Sequence, residues 1–368
     1  MLPIAIGMIV INGLNVINVM VGIGLFYLAA GCYFRIPIPV QPMKVIGAYA
    51  IAASLTPNQI VASSLWMGGI MLLLGTTGLI HLIGKYTPKC TVRGVQMGVG
   101  IILMTKGLRF MIEPDPNLTV QFVGPIGMGI LLGCAGLAVT FFLLDNQKLP
   151  AAVVVVGGGI LLGLVIGHPI TAEEIRIGFH LPALIPYGLP SGHDLLWVLP
   201  VLVIPQIPMT IGNAVLSNTD LAKDYFKDRA HRVSYRSIAN SQGIAGVASF
   251  ILGGIPMCHG AGGLAAMYRF GARSAGANLM IGGIFISLGV LFGQTALALL
   301  NLLPLSLLGV LLVFAGAQLA LMIQDVREKK DLFVVLLMLG ITLTTNLAIA
   351  FISGIAVALV LKTDRISI

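Results

Sequence analysis

Charge is the scarcest commodity in this chain: only 9% of its 368 residues are Asp, Glu, Lys or Arg, where soluble domains carry roughly a quarter. With 57% hydrophobic residues and a mean hydropathy of +1.01, a water-exposed surface cannot be built, and the class that fits is an all-α polytopic membrane protein partnered by the lipid bilayer. The four cysteines (Cys32, Cys90, Cys134, Cys258) lie far apart with no CxxC spacing, so neither a disulfide framework nor a zinc site is indicated. No basic region precedes the first apolar segment, so a cleavable leader is not expected. The 13 acidic residues fall in loops or at span ends, so no carboxylate is at hand within the membrane to bind a cation or a neutral nucleobase. The net charge of +8 sits in short loops between apolar spans, which argues for a topology signal rather than a nucleic-acid partner.

The spans themselves follow from the need for about 20 apolar residues per crossing. They are read at Val16 to Tyr33, Gln59 to Ile83, Val95 to Phe110, Phe122 to Leu144, Ala151 to Ile166, Leu195 to Leu216, Val233 to Leu252, Ala277 to Leu299, Leu305 to Ile323, Leu332 to Thr345 and Leu347 to Leu361, with Pro3 to Ile11 as a half-span. A polar connection, His168 to Asp194 with Glu173 and Glu174, separates a first repeat (1–168) from a second (195–368), with 169–194 outside the bilayer and holding a short amphipathic piece. If Val16 to Tyr33 runs outside to inside, nearly all Lys and Arg fall on one side, leaving Lys106, Arg109 and Arg176 opposite. That asymmetry predicts a cytoplasmic C-terminus and an inner or plasma membrane location.

Two stretches break the apolar pattern. Pro37-Ile38-Pro39-Val40-Gln41-Pro42-Met43-Lys44 has too many prolines for helix interior, so it predicts extended backbone feeding a new helix at Pro42, the broken helix spanning 37–55. Gly253-Gly254-Ile255-Pro256-Met257-Cys258-His259-Gly260-Ala261-Gly262-Gly263 does the same in the second half, over 253–272, with helix from about Ala261 or Leu264 to Ala272. Paired interruptions at corresponding places in two halves point to the binding site of an inverted-repeat secondary transporter. A half-helix of about 15 residues spans roughly 22 Å, less than the roughly 30 Å core. The two N-termini are therefore expected to face each other at mid-depth, where their free N–H groups and partial positive charge suit an anion.

Candidate ligands follow. Gln41 either donates its amide to a bound oxygen beside the N–H groups of Met43 and Lys44, or caps the helix. Lys44 brings a charge that must meet an anion, a carbonyl or water, as direct ligand or as support from behind. The run Cys258-His259-Gly260-Ala261-Gly262 reads as an amide nest, with His259 as anion donor, proton carrier or satisfied structural residue. Pro205-Gln206-Ile207-Pro208-Met209-Thr210-Ile211-Gly212-Asn213 puts Gln206 and Thr210 on one helical face; they line the cavity or serve a kink. The only nucleophile and base pair for an intramembrane enzyme is Cys258-His259, and a passive channel is the third alternative.

These three motifs, with Tyr268-Arg269-Phe270-Gly271-Ala272-Arg273 after the last, resemble the molybdate transporter family, a branch related to the sulfate permeases, over nearly the whole chain. The resemblance implies two inverted repeats of about seven segments, a core domain holding the site beside a gate domain, and uptake of molybdate, or alternatively sulfate or another tetrahedral oxyanion. It implies binding by residues matching Gln41, Gln206 and the run from Cys258 to Gly263; with Pro42, Met43, Lys44, Thr210 and Asn213 beside Gln41, Gln206, Cys258, His259, Gly260, Ala261 and Gly262 the candidate set is complete, and neither a metal nor a cofactor is expected. Proton coupling and a homodimer are open expectations. The chain starts after the Gly-Asp-Leu-Gly-Thr-like motif with which members open, so the first segment reads as truncated.

Overall fold

A computed structural model describes residues 2–80, 88–144, 146, 149–167 and 177–362. Among them run fourteen helical segments: α1 (Leu2–Val10), α2 (Val16–Phe34), α3 (Lys44–Ala53), α4 (Pro57–Thr77), α5 (Lys89–Ile112), α6 (Met128–Leu143) and α7 (Ala151–Ile166), then α8 (Gly192–Ala230), α9 (Tyr235–Ile251), α10 (Ala261–Arg269), α11 (Gly276–Asn301), α12 (Leu305–Ala320), α13 (Lys329–Thr344) and α14 (Leu347–Leu361). Matching α1–α7 to α8–α14 in order explains the packing. The pair α2 with α11 maps onto the pair α9 with α4, and α5 with α12 maps onto itself. Core helices α1–α4 and α8–α11 thus stand beside gate helices α5–α7 and α12–α14, an inverted seven-plus-seven repeat.

Lipid supplies no hydrophobic force between helices, so close packing of small residues must hold these pairs. A Cβ at Gly100 of α5 would lie 2.5 Å from the carbonyl oxygen of Gly316 on α12, and one at Gly316 would lie 2.5 Å from that of Gly100. One turn-pair further on, a Cβ at Gly107 would come within 2.5 Å of Gly309 O. The obstacle there is backbone, which yields only if the helices part. Gly107→Ala is expected to cost roughly 1–3 kcal/mol, seen as a lowered thermal midpoint in detergent. Gly69→Ala, which meets nothing within 4 Å, should leave the midpoint in place.

Several boundaries differ from the sequence expectation for identifiable reasons. Helix α3 begins at Lys44, not Pro42, because the Met43 N–H donates to Pro256 O at 2.8 Å and Met43 stays extended. Helix α6 begins at Met128, because residues 122–127 form a hairpin, β2 (Phe122–Val123) on β3 (Ile126–Gly127), turning at Gly124 with φ 62°. Helix α8 extends well past Leu216. It widens into π-helix at Leu199–Val203 and Thr210–Ser217, on either side of the segment with Pro205 and Pro208, as expected where prolines withdraw amide donors. Helix α10 ends at Arg269, and Arg273 folds back over the Tyr268 ring at 3.6 Å. In the connection, Glu173 and Glu174, and the amphipathic piece expected around them, lie outside the described residues. Residues 177–190 carry no helix, and Gly178 and His180 donate to Leu291 O and Val290 O, beside the kink of α11 at Phe292.

Candidate functional site

The two extended runs meet. Strand β1 (Gln41–Pro42) pairs antiparallel with β4 (Met257–Cys258), Gln41 opposite Cys258 and Pro42 opposite Met257. Extended backbone within a membrane protein needs partners for its polar groups, and these are supplied from several helices. Asn278 of α11 donates to Ile38 O at 2.7 Å and accepts from Ile38 N at 3.2 Å, and Tyr27 of α2 donates to Val40 O at 3.0 Å. With ten and nine residues, α3 and α10 extend only about 15 Å each, so neither crosses a bilayer alone. Both begin directly after the strand pair, which places their N-termini side by side.

Gly260 and Gln41 define the space between them. A Cβ on Gly260 would overlap the Gln41 Nε2 and lie 2.6 Å from its Cδ, and a Cβ on Gly263 would lie 2.8 Å from the Pro39 Cβ. Only glycine lets the Gln41 amide lie across the start of α10. Gln41 Nε2 is buried there without a hydrogen-bond partner, a loss of about 1–3 kcal/mol unless a ligand or water accepts from it. The first-turn N–H groups of Ala261 and Gly262 and that of Lys44 are donors that the helices leave over. Lys44, half-buried at the head of α3, has no ion-pair partner among the described residues.

Gln206 and Thr210 sit one layer back. Gln206, 1% exposed, accepts at Oε1 from Val45 N (2.9 Å) and Ile46 N (3.3 Å), while its Nε2 donates to Thr210 Oγ1 at 2.9 Å. The amide is thus an N-terminal cap delivered by a different helix, and it takes two of the donors that α3 would otherwise offer to a ligand. His259 faces away from the seat. Its Nδ1 lies 2.8 Å from Pro39 O and its Nε2 3.0 Å from the Ser241 hydroxyl, with Phe26 and Phe34 against the ring. A carbonyl can only accept, so Nδ1 holds the proton and Nε2 accepts from Ser241. Successive strand residues point to opposite faces, which puts Cys258 on the Gln41 side and leaves it without His259 as a base. Asn213 is in a different place, lining a cavity with Lys89, Arg93 and Gln96 of α5.

The arrangement therefore gathers Gln41, Pro42, Met43, Lys44, Cys258, Gly260, Ala261 and Gly262, with Gln206, Thr210 and His259 as its supports. The sequence reading missed Asn278, Tyr27 and Ser241. Nothing marks such polar residues in advance except their cost inside apolar spans.

A family model described as "Molybdate transporter of MFS superfamily" matches residues 1–103 and 199–319, which include both half-helices and the proline-rich part of α8. Molybdate transporter 2 of Arabidopsis thaliana is 29% identical, over 98% of this chain and 84% of its own. Molybdate transporter 1 of Chlamydomonas reinhardtii is 28% identical, over 96% and 87%. Among solved structures, the transmembrane domain of the cyanobacterial bicarbonate transporter BicA superposes with a TM-score of 0.66 at 16% identity, covering 97% of this chain and 93% of that one. SLC26A9 gives 0.65 at 14% identity, covering 99% and 66%. At those identities the structures speak for the fold, which is the inverted repeat of the sulfate-permease type. The extent of the family match, through both interrupted segments, makes this chain a member of the molybdate transporter family.

Proposed function

We propose that this protein takes up molybdate as a secondary transporter, holding the dianion between the N-termini of α3 and α10 and exposing it to either side as core and gate shift against each other. The observation that carries the reading is the orphaned Gln41 Nε2, buried over Gly260 between two helix starts. A tetrahedral oxyanion offers oxygens to that donor, to the N–H groups of Ala261 and Gly262, and to the Lys44 ammonium. Its charge is met by backbone dipoles and one cation. The engagement of both His259 nitrogens elsewhere weighs against Cys258-His259 chemistry and so favours transport over catalysis.

The test is uptake of labelled molybdate into proteoliposomes, with excess sulfate as competitor. Gln41→Ala removes one hydrogen bond to a charged group, worth about 1.5–3 kcal/mol, and should raise the KM for molybdate by about ten- to a hundredfold. An unchanged KM would remove the seat from Gln41. Suppression by the excess sulfate would make the substrate class broader than molybdate.

A further inference from the structure

A polar cavity of about 280 Å³ opens where the gate meets the core, away from the strand pair. Its gate wall is α5, with Lys89, Arg93 and Gln96, and its core wall is the π-helical stretch of α8, with Gly212, Asn213 and Ser217. We propose that this cavity is a second, weaker oxyanion station, through which the transported ion passes on the face of the protein where the basic residues gather. The proposal rests on the transport reading above.

Its charge is the first argument. Arg93 forks onto Asp325, with Nε at 2.9 Å from Oδ1 and one terminal nitrogen at 2.6 Å from Oδ2, and Lys89 reaches the same Oδ2 at 2.8 Å. Two cations share one carboxylate, so the cluster keeps one net positive charge. Donor direction is the second argument. Gln96 is 1% exposed and its Oε1 accepts from Arg93 at 2.7 Å, which fixes the amide and leaves Nε2 as a donor with no hydrogen bond among the described residues. The Asn213 amide likewise makes none among them, and it faces the same space from the core side. A buried amide donor, a second amide and a surplus cation are a set for an oxyanion. The volume leaves room for such an ion and several waters at roughly 30 Å³ each, so it can stay partly hydrated and bind weakly.

Position is the third argument. Asn213 is seven residues beyond Gln206 on α8, about 10 Å along the axis, and Gln206 caps the helix that bears Lys44. One helix therefore connects the two places. Because Asn213 belongs to the core and Lys89 and Gln96 to the gate, the donors converge in one relative position of the domains and separate in another. An ion held by both walls would be released when they part.

Equilibrium dialysis of the purified transporter against labelled molybdate tests this. The wild type should bind two ions per chain, one tight and one weak. Asn213→Ala, which breaks no hydrogen bond in the described structure, and Lys89→Gln, which leaves Asp325 paired with Arg93, should each weaken the second ion at least about tenfold. Both should lower the maximal uptake rate several-fold while the KM stays put, and Gln41→Ala should weaken only the tight ion, by about ten- to a hundredfold. One ion per chain in the wild type, or a second ion insensitive to both variants, overturns the station and leaves the seat between α3 and α10 standing. No molybdate bound at all overturns the transport reading with it.

Discussion

Gly260→Ala is expected to abolish molybdate uptake in a protein that still folds. The added methyl would occupy the position of the Gln41 Nε2, while the next atom inward, Cδ, would be 2.6 Å away. Neither is backbone, so the Gln41 side chain can swing aside, and the strand pair and the start of α10 need not move. What the swing costs is the seat itself. Gln41 is driven off the start of α10, and a methyl stands where an anion oxygen would approach the N–H groups of Ala261 and Gly262. Losing the charge-assisted bond from Gln41 together with close approach to one amide removes two interactions of about 1.5–3 kcal/mol each. Uptake at low molybdate should fall by at least about a hundredfold. Size-exclusion profile and thermal midpoint should stay near wild type, and Gly158→Ala on α7, with open space around its Cβ, should transport normally. Uptake within threefold of wild type for Gly260→Ala would place the anion somewhere else.

Much of this site could be read from composition and punctuation. Prolines at 37, 39 and 42 and the glycines of 253–263 forbid continuous helix wherever they occur, so the interruptions are local facts and local sequence suffices to find them. The last of the spans, Leu347 to Leu361, was legible to the residue, because Asn346 caps it and its apolar run is unbroken. Contacts between the halves were not legible. That Gln41 faces Cys258 rather than a neighbour is decided by the register of two residue pairs, and nothing in either run alone encodes it. Helix α3 starts two residues late for the same reason, since its delay is caused by a carbonyl more than 200 positions away. Asn213 was grouped with Gln206 and Thr210 because all three are polar residues in one apolar span, where facing a cavity offsets their cost. The π-helical pairing from Thr210 onward turns the residue to another bearing and so carries it to the cavity beside α5.

Gln206→Glu provides the sharpest separation of support from ligand, because it should leave the fold intact and stop transport. A carboxylate at 206 can still accept from Val45 N and Ile46 N, and Thr210, which now accepts from the Gln206 amide, can rotate its hydroxyl to donate instead. A negative charge at a helix N-terminus is favourable by about 0.3–1 kcal/mol or more, and together with the two N–H groups and the Thr210 hydroxyl this offsets the cost of burying the carboxylate, so the thermal midpoint should stay near wild type. Gln206→Leu, by contrast, strands both N–H groups at about 1–3 kcal/mol each and should lower the midpoint. For the anion the order is different. Unit charges near a protein surface, some 4 Å apart, interact by about 4 kcal/mol, and a carboxylate capping α3 opposes a dianion while also pairing with Lys44. Molybdate binding in Gln206→Glu should therefore weaken by at least about a thousandfold, with uptake lost over the whole accessible concentration range. If instead Gln206→Glu transports well, the anion does not approach the N-terminus of α3, and the role assigned to Lys44 goes with it. If Gln206→Leu is as stable as wild type but transport-dead, Gln206 touches the substrate directly and the cap is incidental.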